Sequence, residues 1–294
     1  MKRKAFIVLI AGPTASGKSK LAIKLAKSLN AEIINADSMQ VYKELNILTS
    51  RPSKKDERKI KHHLYGFISV KKIFSTGDWL KIATKKINEI LKKGKSVIVV
   101  GGTGLYFKAL LEGLAKIPNI PIPFRNKIRK QHKKIGQQKF YKKLLKLDPY
   151  AKKIISENDT HRTLRAYEVK KFTKKSLYIW FKNTKPNFST DLFKRFFLNT
   201  PRTKLIEQIN LRVDKMFKQK VQLEVKSFLK KNLNQDMSAN KVIGVNEISN
   251  YLIKKLSLSE VKDLIKIRTR QYAKRQFTWA RGKMTSWEMI EPSN

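Results

Sequence analysis

The stretch AFIVLIAGPTASGKSKLAIKLAKSLNAEIINADSMQVYK, residues 5–43, decides the fold class. Its centre, GPTASGKS at 12–19, has the form G-x-x-x-x-G-K-S, the spacing of a phosphate-cradling loop. Residues 5–11 before it are continuously apolar, as in a parallel strand covered on both faces. Residues 19–29 after it repeat apolar side chains at Leu21, Ala22, Leu25, Ala26 and Leu29, a helical stripe. Strand, glycine loop and helix in that order are the context in which the motif has physical meaning. A second short strand, 32–36, ends at Asp37.

The loop chemistry follows from backbone geometry. Glycines let successive N–H groups point inward, and the helix adds its positive end, so Gly12, Thr14, Ala15, Ser16, Gly17, Lys18 and Ser19 are candidates to hold a diphosphate. Lys18 pairs with phosphate oxygens in this reading, and the Ser19 hydroxyl enters the shell of a Mg²⁺ ion. Many nucleotidases of this kind finish a later strand with an acidic residue that holds the metal. Here the later strand, KSVIVV at 95–100, breaks on Gly101 and Gly102 instead. The available carboxylate is Asp37. Three roles stand open for it on spacing alone: a base acting beside the phosphates, a helix cap, or a partner of the metal.

Further strands and helices alternate outward from the loop. Residues 79–91 form an amphipathic helix with Ser75 and Asp78 placed as a capping box. The expected class is α/β: a P-loop NTPase-like parallel sheet core carrying an inserted helical domain. In such sheets ligands gather at the carboxyl ends of the strands, where 12–19, 37–40 and 101–104 converge. A proline-broken linker, IPNIPIP at 117–123, changes the texture, and 124–190 is Lys-rich and mostly helical. The expected division is a core of 1–118 and 191–294 with an insertion at 119–190. Residues 194–199 read as a returning strand, followed by helical stretches at 203–231, 246–255 and 259–281.

Composition narrows the partners. Against 22 acidic residues stand 66 Lys and Arg, a formal charge of +44 over 294 residues. A compact fold with that excess repels itself unless a polyanion screens it, and nucleic acid is the natural one; a general lysine bias on solvated helix faces is the plainer alternative. With 41% hydrophobic residues the chain can bury a core, unlike a disordered basic tail. It has no Cys, which excludes disulfides, thiolate metal sites and cysteine nucleophiles. The start, MKRKAFIVLIAG, is basic and then apolar like a leader, but the run is short and passes directly into the loop. No apolar stretch reaches the roughly 18–20 residues of a membrane span. A cytoplasmic monomer without membrane contact is expected.

Several blocks together resemble the tRNA dimethylallyltransferase family. They are GPTASGKS, INADSMQVYKELNILTSRPS, HHL, VGGTGLYFKALLEGL, HRTLRAYEV and TRQYAKRQFTWARG, in the family's order from Gly12 to Gly282. The resemblance implies that the loop holds the diphosphate of dimethylallyl diphosphate and that the acceptor is the exocyclic amine of an adenosine beside a tRNA anticodon. It implies Asp37 as the group that takes the amine's proton, with Thr103 at the reacting base. By the same resemblance, Ser38, Met39, Gln40, Arg125, His161, Arg162, Arg165 and Arg275 meet the tRNA. From the residues alone, Thr103 reads equally as a helix cap, and Arg162 and Arg165 as solvated charges three apart on a helix. The basic and aromatic residues of 268–279 suit RNA contact, while Ile267, Ala273, Phe277 and Ala280 form an inward stripe. His62 and His63 match the family's HHL and are expected to serve structure.

The chain departs from the family in two places. Gly244, Val245 and Asn246 stand where the family has glycine, an aromatic and a basic residue, and Lys220–Val221 replaces Gly-Leu. Two other readings remain on sequence grounds. A P-loop kinase of a nucleoside or small metabolite accounts for the loop and Asp37 but not for the charge. A non-enzymatic RNA-binding protein accounts for the charge but leaves an intact GKS and Asp37 without a role.

Overall fold

The computed structural model describes residues 5–292; the basic start of the leader-like stretch, residues 1–4, lies outside the described residues, as do 293–294. The chain divides into two compact units, one of Met1–Leu111 with Phe188–Asn294 and the other of Glu112–Asn187.

The first unit is built on the apolar run that opens the sequence. β1 (Ile7–Ala11) is buried at every position. It leads through the loop into α1 (Lys18–Ser28), β2 (Ala31–Asn35), the short α2 (Lys54–Lys59), β3 (His62–His63), α3 (Thr76–Lys92), β4 (Ser96–Gly101) and α4 (Gly104–Glu112). The sheet order is β3-β2-β4-β1, continued by β5 (Phe193–Leu198) and β6 (Glu288–Ile290), and every pairing is parallel. Parallel strands need helical crossovers that cover both faces, which is why β1, β2 and β4 read as unbroken apolar runs.

α3 shows how the sequence enforces one of those crossovers. The Ser75 side chain accepts the Asp78 N–H while the Asp78 carboxylate accepts the Ser75 N–H, so the predicted capping box is formed. Trp79, Leu80, Ala83, Ile87 and Ile90 are its buried face. Trp79 is fully buried, donates its indole N–H to the Asn35 carbonyl at 2.8 Å and stacks on Tyr106 at 4.2 Å between ring centres. Burying such a side chain is worth about 1.5–3 kcal/mol, so α3 fixes the end of β2 from outside the sheet.

Four further helices of the first unit lie after β5, the first three being α9 (Arg202–Lys218), α10 (Val221–Leu229) and α11 (Val245–Leu252). The last is α12 (Leu258–Lys283). The single helical stretch expected at 203–231 is therefore two helices, broken where Lys220 takes φ 59°, a left-handed conformation. The inward stripe expected on α12 is also corrected: Ala273 and Ala280 are buried, but Ile267 is 41% exposed. Leu205 and Ile209 of α9 pack against Ala273, with Ala15 of the loop and Phe277 beside them. Thus two late helices brace the phosphate loop.

The second unit holds α5 (Ile122–Ile135), α6 (Gln137–Leu147), α7 (Thr160–Thr173) and α8 (Leu177–Lys182). No strand occurs among its described residues. Its core is its own, with Phe140, Leu144, Ala166 and Val169 buried together, so it meets the description of a separately cored insertion.

Candidate active site

At the carboxyl end of the sheet the first unit encloses a cavity of about 180 Å³. One wall is the loop itself, Thr14 to Lys20. Gly17 sits at φ 88° as the cap of α1, and Ala15 at φ 62°. Left-handed residues alternating with right-handed ones turn consecutive amides toward one point, and a glycine carries that geometry without steric cost. Lys18 is half-buried and donates to the Pro13 carbonyl at 2.5 Å. Loss of hydration pulls its ammonium down to about 8; the Asp37 carboxylate opposes the shift and the Arg212 guanidinium adds to it. The ammonium remains the major form at neutral pH, and an arriving anion would favour it further.

Asp37 faces the loop across this cavity. It lies just past β2, and its backbone is clasped by a fully buried neighbour. Asn35 Nδ2 donates to the Asp37 carbonyl at 2.9 Å, and Asn35 Oδ1 accepts the Asp37 N–H at 2.8 Å. Asp37 Oδ1 in turn accepts the Met39 N–H at 2.9 Å, which sets the carboxylate's direction. Gly101, at the end of β4, passes so close that a Cβ there would lie 2.1 Å from the Ala36 carbonyl. Gly101, the first of the glycines that stand where a metal-binding acid was expected, thus has a steric reason: it lets β4 abut the backbone that carries Asp37, while a Cβ at Gly102 would meet the Gln276 side chain.

Arg212 of α9 completes the polar wall. Its Nη1 donates to Thr14 Oγ1 at 2.7 Å, and it lines the same cavity as Lys18 and Asp37. Burial, more than any neighbour, pulls its pKa down, although a guanidinium keeps its charge at any working pH. Three cations, Lys18, Lys20 and Arg212, thus line the cavity with one carboxylate, Asp37.

The profile of the family described as IPP transferase matches residues 40–283. The chain belongs to the IPP transferase family. A tRNA dimethylallyltransferase of Pelagibacter ubique is 54% identical over 292 residues, covering 99% of this chain and 93% of that protein. Among solved structures, the full-length tRNA isopentenylpyrophosphate transferase of Bacillus halodurans is 32% identical, covers 98% of this chain and 90% of its own, and superposes with a TM-score of 0.69. A eukaryotic dimethylallyltransferase acting on tRNA is 27% identical over 98% of this chain and 74% of its own, with a TM-score of 0.84.

Other residues singled out in this IPP transferase family member fall into two groups. Gln40 lines the cavity, and Ser38 and Thr103 pair with one another next to Asp37. Thr103 Oγ1 accepts the Ser38 N–H at 2.9 Å, so its hydroxyl ties the end of β4 to Asp37's neighbour, while its carbonyl accepts the Tyr106 N–H of α4. Gln40 Nε2 donates to the carbonyls of Thr49 and Ser50, two lining residues. Met39 turns toward the core. Arg275 of α12 is exposed and stands over the Tyr272 ring at 5.8 Å.

The second group lies in the second unit and is not part of this cavity. Arg125 and Arg165 approach the buried carboxylate of Glu168, at 3.3 and 4.0 Å, with Arg129 at 3.7 Å. Three guanidiniums around one carboxylate leave a cluster of net positive charge with fixed geometry. Arg162 pairs with Asp159 at 3.4 Å and stays largely exposed, and His161 is exposed beside it.

Two contributors were not among the sequence-predicted residues. Arg212 is one. Gln276 is the other: its Oε1 accepts the Thr14 N–H at 2.8 Å and its Nε2 donates to the Gly102 carbonyl at 2.9 Å, bridging the phosphate loop to the GGTG turn. Nothing local to either marks it, because their partners lie 198 and 262 residues away in Thr14. His63, by contrast, has a structural post, pairing with the buried Glu32 at 2.7 Å.

For a metal, no group of three or more His, Cys, Asp or Glu side chains clusters among the described residues. One carboxylate, that of Asp37, lines the cavity, and the other side-chain oxygens there, the Ser19 hydroxyl among them, are neutral. Such a sparse, hard donor set fits Mg²⁺, which keeps most of its shell as water and substrate phosphate, and does not fit an ion that needs a full protein cage.

Proposed function

We propose that this protein transfers a dimethylallyl group from dimethylallyl diphosphate to the exocyclic amine of the adenosine 3′-adjacent to the anticodon of a tRNA, releasing diphosphate. The observation that carries this reading is the pairing of a phosphate cradle with a base. Asp37 is held across one small cavity from Lys18, Arg212 and the loop amides. Family membership over residues 40–283 supports it.

An adenine amine is a weak nucleophile, since its lone pair is delocalised into the ring. The reaction therefore needs an easily expelled leaving group and an amine held in line. Gly12, Thr14, Ala15, Ser16, Gly17 and Ser19 frame the diphosphate, and Lys18 and Arg212 meet the negative charge that grows on it as the allylic C–O bond breaks. The bond's electron pair leaves with the diphosphate, and the amine nitrogen bonds to the freed carbon. Asp37 accepts the amine's proton, through the oxygen not engaged by Met39. Ser19 would hold Mg²⁺, which would supply further neutralisation of the leaving group.

Thr103, Ser38, Met39 and Gln40 border the place where the adenosine arrives, and reaching it requires the base to leave its stack. In the second unit Arg125, Arg162 and Arg165, with His161, offer the anticodon arm a cationic surface, and Arg275 does so on α12. The formal charge of +44 suits a polyanionic partner. Among the described residues no helix is long and apolar enough to cross a membrane. We place the enzyme in the cytoplasm, acting as a monomer.

The test is label transfer with purified protein, Mg²⁺, unmodified tRNA and either labelled dimethylallyl diphosphate or labelled ATP. Label passing from the isoprenoid donor into tRNA is the expected result. Turnover of ATP without isoprenoid transfer would replace this reading with that of a P-loop kinase.

A further inference from the structure

The cavity is polar around the diphosphate position and poor in apolar surface elsewhere. Its lining contains one aromatic ring, that of Tyr65, with Ala15 and Val100 the remaining apolar side chains. A five-carbon allylic group bound there has no other π surface in the lining.

The backbone presents Tyr65 to the cavity by a costly route. Leu64 before it has φ 63° and Gly66 after it φ 53°, so the tyrosine sits between two left-handed residues. For a leucine that conformation costs about 1–2 kcal/mol and persists only where the surroundings enforce it. Here they do. Asn35 Nδ2 donates to the Leu64 carbonyl at 3.0 Å, and the Gly66 N–H donates to the Gln40 carbonyl at 2.9 Å. The same Asn35 carboxamide clasps Asp37, so one buried side chain registers the tyrosine's backbone against the base. The ring itself is braced edge-on by His62, at 5.6 Å between centres. Burial first, and the Asp37 charge second, push the phenol's pKa up, so Tyr65 stays neutral and does not compete with Asp37 for the proton.

Resting on the transferase reading above, we propose that Tyr65 is a catalytic residue whose ring face lies against the allylic carbons of the donor while the bond to diphosphate breaks. As that bond lengthens, positive charge spreads over the allylic carbons, and the electron pair goes to the diphosphate oxygen. The amine then closes the new C–N bond and gives its proton to Asp37. Lys18 and Arg212 favour the diphosphate but repel a cationic allyl group. The negative face of an aromatic ring offsets that repulsion without supplying a nucleophile that could capture the group. The attraction is largest when the charge is largest, so it acts on kcat more than on donor KM.

The experiment replaces Tyr65 with phenylalanine and with phenylalanines bearing one, two and three ring fluorines, which drain the π face while keeping nearly the same shape. Transfer of labelled dimethylallyl to tRNA is measured with the full-length protein, alongside inorganic diphosphate affinity and Tm. Y65F is expected to keep kcat within about threefold, and kcat to fall stepwise to about tenfold to thirtyfold lower at three fluorines, with donor KM and diphosphate affinity unchanged. A kcat that is flat across the series, or a loss confined to KM, overturns the proposal while leaving the transferase reading intact. A wild-type protein that moves no isoprenoid label overturns both.

Discussion

Asn35 holds Asp37 by both backbone groups, accepting its N–H at 2.8 Å and donating to its carbonyl at 2.9 Å. The carboxylate proposed as the base is thus aimed by a residue that is itself fully buried and never meets the cavity. Position is supplied by the end of β2, and chemistry by the residue two places on.

Asn35→Ala removes that clasp and leaves two part-buried carbonyls, those of Asp37 and Leu64, without this donor. Stability is expected to fall by about 1–3 kcal/mol, the usual cost of an unsatisfied buried group. Transfer kcat is expected to fall by about 10²-fold, as small misplacements of catalytic groups do. Urea unfolding and single-turnover transfer on the folded fraction measure the two effects separately. A variant with lowered stability and unchanged kcat would mean that Asn35 serves the fold alone.

Lys18 gives a pH signature. Its pKa of about 8 lies below that of a free lysine, so between about 8 and 10.5 the unfolded chain binds more protons than the native one. Its contribution to stability therefore rises with pH across that window. A bound diphosphate reverses the preference, because the anion favours the ammonium. Diphosphate binding near pH 8.5 is expected to take up a proton at Lys18, and its affinity to weaken as pH rises through about 8. Calorimetry in buffers of different ionisation enthalpy reads the uptake, and Lys18→Arg, charged throughout, is expected to abolish this residue's share.

Arg212 reaches the loop from α9 through Thr14 at 2.7 Å. Removing a donor that stabilises charge developing on a leaving group costs about 10²–10³ in rate. Arg212→Ala is expected to lose transfer on that scale, and Arg212→Lys to fall between the two, since lysine keeps the charge but not the planar fork. Initial rates across donor concentrations, with tRNA saturating, separate kcat from KM. Unchanged kinetics in Arg212→Ala would confine the arginine to bracing the loop.

Lys220 is left-handed at the break between α9 and α10. Glycine there avoids the clash between Cβ and the backbone but adds freedom to the unfolded chain. The steric gain is the larger, so Lys220→Gly is expected to stabilise the protein by about 0.5–1 kcal/mol with activity unchanged. Thermal or denaturant unfolding decides it, and a loss of stability would show that the lysine side chain does more than accept a turn.

Features encoded locally could be read from the chain. The loop, β1 and the Ser75–Asp78 capping box each depend on residues a few places apart, and each appears as expected. Asp37 was also within reach, because the end of a strand beside a phosphate loop is a defined place in an α/β sheet. The Thr14 contacts made by Arg212 and Gln276 were not, since only packing of α9 and α12 brings those side chains back to the first turn of the chain. The two-residue β3 and the short β6 carry too few residues for a period to register. Ile267 was misread on the helical period itself: it stands six residues before Ala273, about 240° around a helix, so it falls off the buried face of Val261, Ile265, Thr269, Ala273 and Ala280 and faces solvent.

The central claim is that Asp37 takes the proton from the attacking amine. Its most direct test is Asp37→Asn, which preserves shape while removing the basic oxygen, assayed for single-turnover transfer of labelled dimethylallyl to tRNA and for tRNA and diphosphate binding. The account predicts that binding of both ligands persists while transfer falls by about 10²–10⁴-fold, the range of a lost general base. Transfer at the wild-type rate in a variant that binds both ligands normally would contradict it.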